Sequence, residues 1–138
     1  MNQITRFGIS MNSKLLERFD DLIAKHGYSN RSEAFRDLVR ERLVKEEWKE
    51  EDREIVGTIT IIYNHHQRQL TEILTEQQHK QHNSVISSMH IHLDQDNCME
   101  VLAVQGKAKN IQKLADDIIS TRGVKHGKLV MTTTGKDL

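Results

Sequence analysis

Within its first 48 residues the chain sets one two-residue alternation ahead of two helical stripes, too little apolar material to close a core alone. The run Ile4-Thr5-Arg6-Phe7-Gly8-Ile9-Ser10-Met11 places Thr5, Phe7, Ile9 and Met11 opposite Ile4, Arg6, Gly8 and Ser10. That period predicts a short strand with one apolar and one largely polar face. Asn12 or Ser13 can cap a helix striped by Leu15, Leu16, Phe19, Leu22 and Ile23, and Gly27 suits its left-handed close. A second helix opens at Asn30, with Glu33 as a capping-box partner and a stripe of Ala34, Phe35, Leu38, Val39 and Leu43. A module this small is expected to be a dimer. It occupies residues 1–48, and the charged stretch that follows predicts a linker over 49–54.

Residues 55–138 read as a second domain. Ile55, Val56, Ile59, Ile61 and Ile62 make residues 55–63 a strand, and Leu70, Ile73 and Leu74 mark one side of a polar helix over 65–81. Val85–Leu93 and Met99–Gln105 are strands about a turn at Asp94-Gln95-Asp96-Asn97, which favours an antiparallel hairpin. Ala108–Thr121 carries Ile111, Leu114, Ala115, Ile118 and Ile119 at helical spacing, Gly123 stops it, and Lys128–Thr132 is a last strand. The fold class is therefore α+β: a βαα head, then a ferredoxin-like βαββαβ domain.

Charge gives no general pull toward nucleic acid, since 20 basic side chains balance 20 acidic ones. The head holds nine basic and eight acidic groups, so any DNA binding must come from local geometry. The apolar runs are too short to span a bilayer and no signal peptide opens the chain. A single cysteine forms no internal disulfide, and a cytoplasmic protein is expected.

Six of the eight histidines fall between His65 and His92. The sharpest pattern among them is His90-x-His92-x₅-Cys98, preceded by His79. Residues two apart on a strand share a face, so His90 and His92 stand side by side and Cys98 returns toward them after the turn. Two imidazoles and a thiolate, closed by a fourth nitrogen into a square plane, suit Ni(II) or Cu(II) better than the tetrahedral preference of zinc. The same spacing also fits solvated histidines and a small buried cysteine. Spacing does not decide whether His79 serves its own hairpin or a neighbour's.

Strand, helix, helix in so short a span is the ribbon–helix–helix plan, in which two strands pair and enter the major groove. Arg6, Gly8 and Ser10 would face the base edges, Arg6 forking onto guanine. Ser29 and Asn30, at the start of the second helix, would meet a phosphate. The plain alternative is an edge strand and helical hairpin used only for dimerisation.

The chain resembles the nickel-responsive transcriptional regulators over nearly its whole length. The strings that carry the likeness are Arg6–Ser10, Gly27–Ala34, Tyr63-Asn64-His65-His66, His90-Ile91-His92, Asn97–Glu100 and Arg122–Gly127. The resemblance implies a homotetramer (a dimer of dimers) with ACT-type central domains and a dimeric head at each end, bound to a palindromic operator. It implies one Ni(II) per subunit, held by His90, His92 and Cys98 of one chain and His79 of the opposing one. It further implies a weaker cation site at Glu33 and Asp37, and repression of nickel uptake. Gly8, which offers only backbone where a relative can use a hydroxyl side chain toward DNA, leaves the operator sequence open. The rivals are the same architecture sensing copper or cobalt, and an ACT-type small-molecule sensor. An enzyme is disfavoured, because a four-ligand site has no open position and no nucleophile–base pair stands nearby.

Overall fold

A computed structural model describes residues 3–66, 72, 74–76 and 84–138. The chain divides into two compact units, Met1–Glu41 and Arg42–Leu138.

In the first unit, helix α1 spans Ser13–Lys25. The Asn12 side chain caps it, accepting from the Lys14 amide at 2.9 Å. It ends at Gly27, whose φ of +79° suits a residue without Cβ, and the Tyr28 amide reaches back to Ile23 O at 3.1 Å. Helix α2, Arg31–Glu47, starts as the sequence predicts, with Asn30 Oδ1 accepting from the Glu33 amide at 2.9 Å. Only half of the capping box forms, because the Glu33 carboxylate turns toward Arg36 instead. A two-pronged Arg31–Asp20 pair, both bonds 2.8 Å, joins α2 to α1. Both partners are exposed, so it orients the helices more than it stabilises them.

The strand expected over Ile4–Met11 is not formed in the single chain, where residues 3–12 carry no ladder. A strand exists by pairing, and no described residue of this unit offers it an edge. Phe7 touches Phe35 edge-on, with centroids 5.9 Å apart, yet stays 70% exposed. Ile9, Leu22, Leu38 and Val39 are also exposed, while Ile23 and Ala34 alone are buried among the described apolar residues of this unit. The unit closes no core of its own, as its size requires.

The second unit follows the βαββαβ order. Strand β1 is Glu54–Asn64, β2 is Val85–His92, β3 is Asn97–Lys107, helix α3 is Ala108–Ile119 and β4 is Val124–Thr132. Residues 72 and 74–76, between β1 and β2, are helical; most of the helix expected over 65–81 lies outside the described residues. All pairings are antiparallel in the order β2-β3-β1-β4, the ferredoxin-like arrangement with β1 central and β2 and β4 at the edges. Strand β4 begins four residues before the predicted Lys128, because Lys125, His126 and Gly127 hide its alternation.

Strict alternation along β1 buries Ile55, Ile59, Ile61 and Tyr63 against Leu102 and Val104 of β3, Ile111, Leu114, Ala115 and Ile118 of α3, and Leu74. Helices therefore cover one sheet face, and among the described residues the other keeps Met89 and Val130 exposed. Gly57, on the covered face, is a tight point. A Cβ there would lie 2.8 Å from Val130 O and 3.5 Å from the Trp48 ring. The clash is with backbone, so Gly57→Ala should cost roughly 1–3 kcal/mol. A urea midpoint that does not fall would show that the β1–β4 pair opens freely.

The segment from α2 to β1 is bonded along its length. Trp48 Nε1 donates to Thr132 O at 2.8 Å. The amides of Ala108 and Lys109 donate to Arg53 O and Glu51 O at 2.9 and 3.1 Å. These two bonds serve the start of α3, whose N-cap Lys107 makes no side-chain cap. Arg53 also pairs with Glu47 and Asp137.

Candidate metal centre

The centre forms where β2, β3 and the end of β1 meet. Register sets His90 opposite Glu100 and His92 opposite Cys98, while Cys98 also faces Tyr63 across β1. All five therefore project from the helix-covered side of the sheet. The turn that brings Cys98 back is fixed by Asp94, whose Oδ1 accepts from the amides of Asp96 and Asn97 at 2.8 Å each. This is the local turn chemistry that an Asp four residues ahead of the cysteine provides.

Cys98 Sγ lies 3.4 Å from His92 Nδ1, and the His90 and His92 rings are 5.0 Å apart and inclined at 33°. Hairpin spacing thus brings His92 against Cys98 and sets the His90 ring beside His92, while among the described residues the donor atoms within 4.8 Å of one another belong to His65, His92 and Cys98 and not to His90. His79 lies outside the described residues. Cys98 is fully buried. Burial first, then the nearby charges of Asp94 and Glu100, push its thiol above the ordinary range. Tyr63, whose hydroxyl donates to Glu100 at 3.4 Å, is raised to about 12 by burial, Glu100 and Cys98. A cation placed here would reverse the penalty on the thiolate.

A further side chain that spacing misses stands at the centre. Ring nitrogens of His65 and His92 and the sulfur of Cys98 all fall within 4.8 Å of one another. His65 Nδ1 is buried and has no hydrogen-bond partner among the described residues. The imidazole and thiol donors suit a transition metal, whereas calcium or magnesium would want oxygen. Only the local crowding of histidines hinted at His65, because its neighbours come from a distant hairpin.

The other predicted residues lie in the first unit. Arg6, Gly8 and Ser10 are all exposed on the extended segment. Ser29 and Asn30 sit just before α2, where Asn30 Nδ2 contacts Ser29 Oγ at 3.5 Å and its oxygen already caps one helix amide. Glu33 and Asp37 are one turn apart on α2, each 3.5 Å from an arginine three residues on. Tyr28 donates to Asp37 at 2.6 Å; this bond and the two acidic neighbours raise the phenol above its ordinary range.

Residues 56–132 match the NikR C terminal nickel binding domain, and residues 5–46 match the ribbon-helix-helix protein, copG family. A protein of Caldanaerobacter subterraneus bearing the name nickel-responsive regulator is 60% identical over 98% of this chain and 88% of its own length. A namesake in Geobacter metallireducens is 57% identical over 100% of this chain and 99% of its own. Another in Pyrococcus furiosus is 53% identical over 98% of each chain. A solved structure of an uncharacterized Thermotoga maritima protein superposes with a TM-score of 0.53 over 58% of this chain and 99% of that one, at 14% identity. That likeness concerns the fold alone. A ribbon–helix–helix region followed by a nickel-binding-type ferredoxin-like domain, with relatives alike from end to end, leaves one assignment: the chain belongs to the nickel-responsive family of transcription regulators, which are not enzymes.

Proposed function

We propose that this chain is a cytoplasmic, nickel-dependent repressor of nickel-uptake genes. The observation that carries the reading is the approach of Cys98 Sγ to His92 Nδ1 at 3.4 Å with the His90 ring alongside. His90, His92 and Cys98 of one chain, with His79 of the partner subunit, hold one Ni(II) per subunit in a square plane. The uncovered sheet face supports assembly, since exposed Met89 and Val130 are poor neighbours for water. The assembly is a homotetramer, built as a dimer of dimers. In each head two copies of the Ile4–Met11 segment pair as a ribbon and gain the ladder that one chain lacks. Arg6, Gly8 and Ser10 then face the major groove of a palindromic operator, and Ser29 and Asn30 meet phosphates. Glu33 and Asp37 form a weaker cation site. The head ends near residue 48, and residues 49–54 join it to a nickel-binding and assembly domain over 55–138.

Nickel shared between subunits favours the arrangement that holds both heads on one operator. By linkage, operator DNA tightens nickel binding by the same factor. The test is binding of purified full-length protein to promoter fragments of nickel-uptake genes, with and without Ni(II), with Cu(II) and Co(II) in parallel. Nickel should tighten binding to the operator, and Arg6→Ala should then cost ~1–3 kcal/mol there and relax one base preference. Equal affinity with and without nickel would refute the sensor. An Arg6→Ala loss identical on random DNA would remove direct readout.

A further inference from the structure

The charged stretch predicted as a linker over 49–54 does not run loose between α2 and β1. Past Glu47 the chain stays in turns: the Trp48 amide donates to Val44 O at 3.3 Å, those of Lys49 and Glu50 to Glu46 O and Glu47 O at 3.1 Å each, and that of Arg53 to Glu50 O at 3.0 Å. The last turn of α2 and this junction both belong to the second compact unit, which begins at Arg42. We propose that residues 133–138 are a strap, closed by Asp137 on Arg53, that holds the last turn of α2 to the nickel-binding domain and so sets how strongly bound nickel is felt at the operator. The part that concerns the operator rests on the nickel reading.

Three observations carry the proposal. Arg53 is the point where the junction and the strap meet. Its guanidinium lies 3.3 Å from Glu47 and 3.5 Å from Glu50, and it also pairs with Asp137. Glu47 is the one charged side chain buried among the described residues, so the group sits deeper than an ordinary surface pair. Burial works against the charge on Arg53, yet Glu47, Asp137 and Glu50 together hold it above its ordinary range.

The strap is also shaped to reach Arg53. Thr133 Oγ1 accepts from the Gly135 amide at 3.1 Å, and Gly135 has a φ of +80°, which suits a residue without Cβ. That turn brings Asp137 back onto the junction. Third, the residue just ahead of the strap holds the other end of the same stretch. Trp48 Nε1 donates to Thr132 O at 2.8 Å, and the Trp48 ring sits over Gly57, 3.5 Å from where a Cβ would stand.

A junction tied at both Trp48 and Arg53 behaves as part of a rigid element rather than as a tether. A rigid element passes a change in the metal-binding domain on to the helix that leads into the head, whereas a tether loses it. Opening the strap therefore lowers the coupling between nickel and operator without touching the metal ligands. Asp137 acts here as a positioning residue, through Arg53.

The experiment uses the full chain. Binding to promoter fragments of nickel-uptake genes is measured with and without Ni(II). Hydrogen exchange is followed at the amides of Ala108 and Lys109, whose acceptors, Arg53 O and Glu51 O, lie in the junction. Asp137→Asn, and deletion of residues 136–138, should each cut the nickel-dependent gain in DNA affinity about twofold to fivefold. Both should speed exchange at the two amides and leave Ni(II) affinity without DNA unchanged. Gly135→Ala, which keeps every charge but strains the turn, should act in the same direction, and Asp137→Glu should restore wild-type behaviour. An unchanged gain in Asp137→Asn and in the deletion would overturn the proposal, whether or not exchange quickens. A matching loss of Ni(II) affinity without DNA would overturn it too, by making the strap a support of the metal centre. If wild type shows no nickel-dependent gain while exchange at the two amides still depends on Asp137, the nickel reading falls and with it the link to the operator, and the fastening alone stands.

Discussion

Cys98→Ala is expected to abolish tight nickel binding, the sulfur-to-nickel charge-transfer band and nickel-dependent DNA binding together. The sulfur is the one soft donor in the cluster, and a metal-bound cysteine must be a thiolate. In the metal-free chain burial, Asp94 and Glu100 hold the group as a thiol, so loading should release its proton and the band should appear as the proton leaves. The loss should exceed the ~10–100-fold typical of residues that only support a ligand. Retention of the band would take Cys98 out of the site. The variant also tests sharing between subunits. Mixed with a His79→Ala chain, and with subunit exchange shown by mass spectrometry, it should regain up to one intact site per mixed pair. Ligands donated within one chain would give no recovery however the chains combine.

The second large effect concerns the sheet. Ile59 is fully buried at the middle of the central strand, with Leu102 and Leu129 in register on either side. Ile59→Ala removes apolar atoms that α3 and both neighbouring strands surround, and should cost roughly 2–5 kcal/mol. Against a typical domain stability of roughly 5–15 kcal/mol this is a large fraction. Denaturant unfolding at fixed protein concentration measures it, since assembly also contributes to stability. A cost under ~1 kcal/mol would mean that the core collapses around the deletion.

Local pattern was enough where one chain contains both halves of an interaction. The Ile55 to Tyr63 alternation carries β1 because its buried face meets helices of the same unit. The Asn12 and Asn30 caps and the turn at Gly27 are likewise local, and all form. The Ile4–Met11 strand is different. Its alternation is plain, but its hydrogen bonds need an edge that the described residues of its own unit do not supply. At the centre, the approach of His92 to Cys98 and the side-by-side rings of His90 and His92 were legible because a hairpin converts spacing into proximity. His65 was not, because the end of β1 reaches the same point only through sheet order. The start of β4 was hidden for a related reason. Gly127 leaves room for Ile119, whose Cγ1 would lie 2.6 Å from an added Cβ, so packing erased the apolar signal that marks a strand.

The carbonyls of Glu51 and Arg53 stand in for the missing cap of α3, and this bears on how such proteins could exchange parts. A recombination event that swapped the DNA-reading end at the charged stretch would strip acceptors from Ala108 and Lys109, far along the chain. It would also separate Trp48 from Thr132. A viable seam therefore falls inside α2, ahead of Glu47, where helix can be spliced to helix in phase. Shuffling of heads among relatives should leave its mark there, as sequence that changes allegiance partway through a helix.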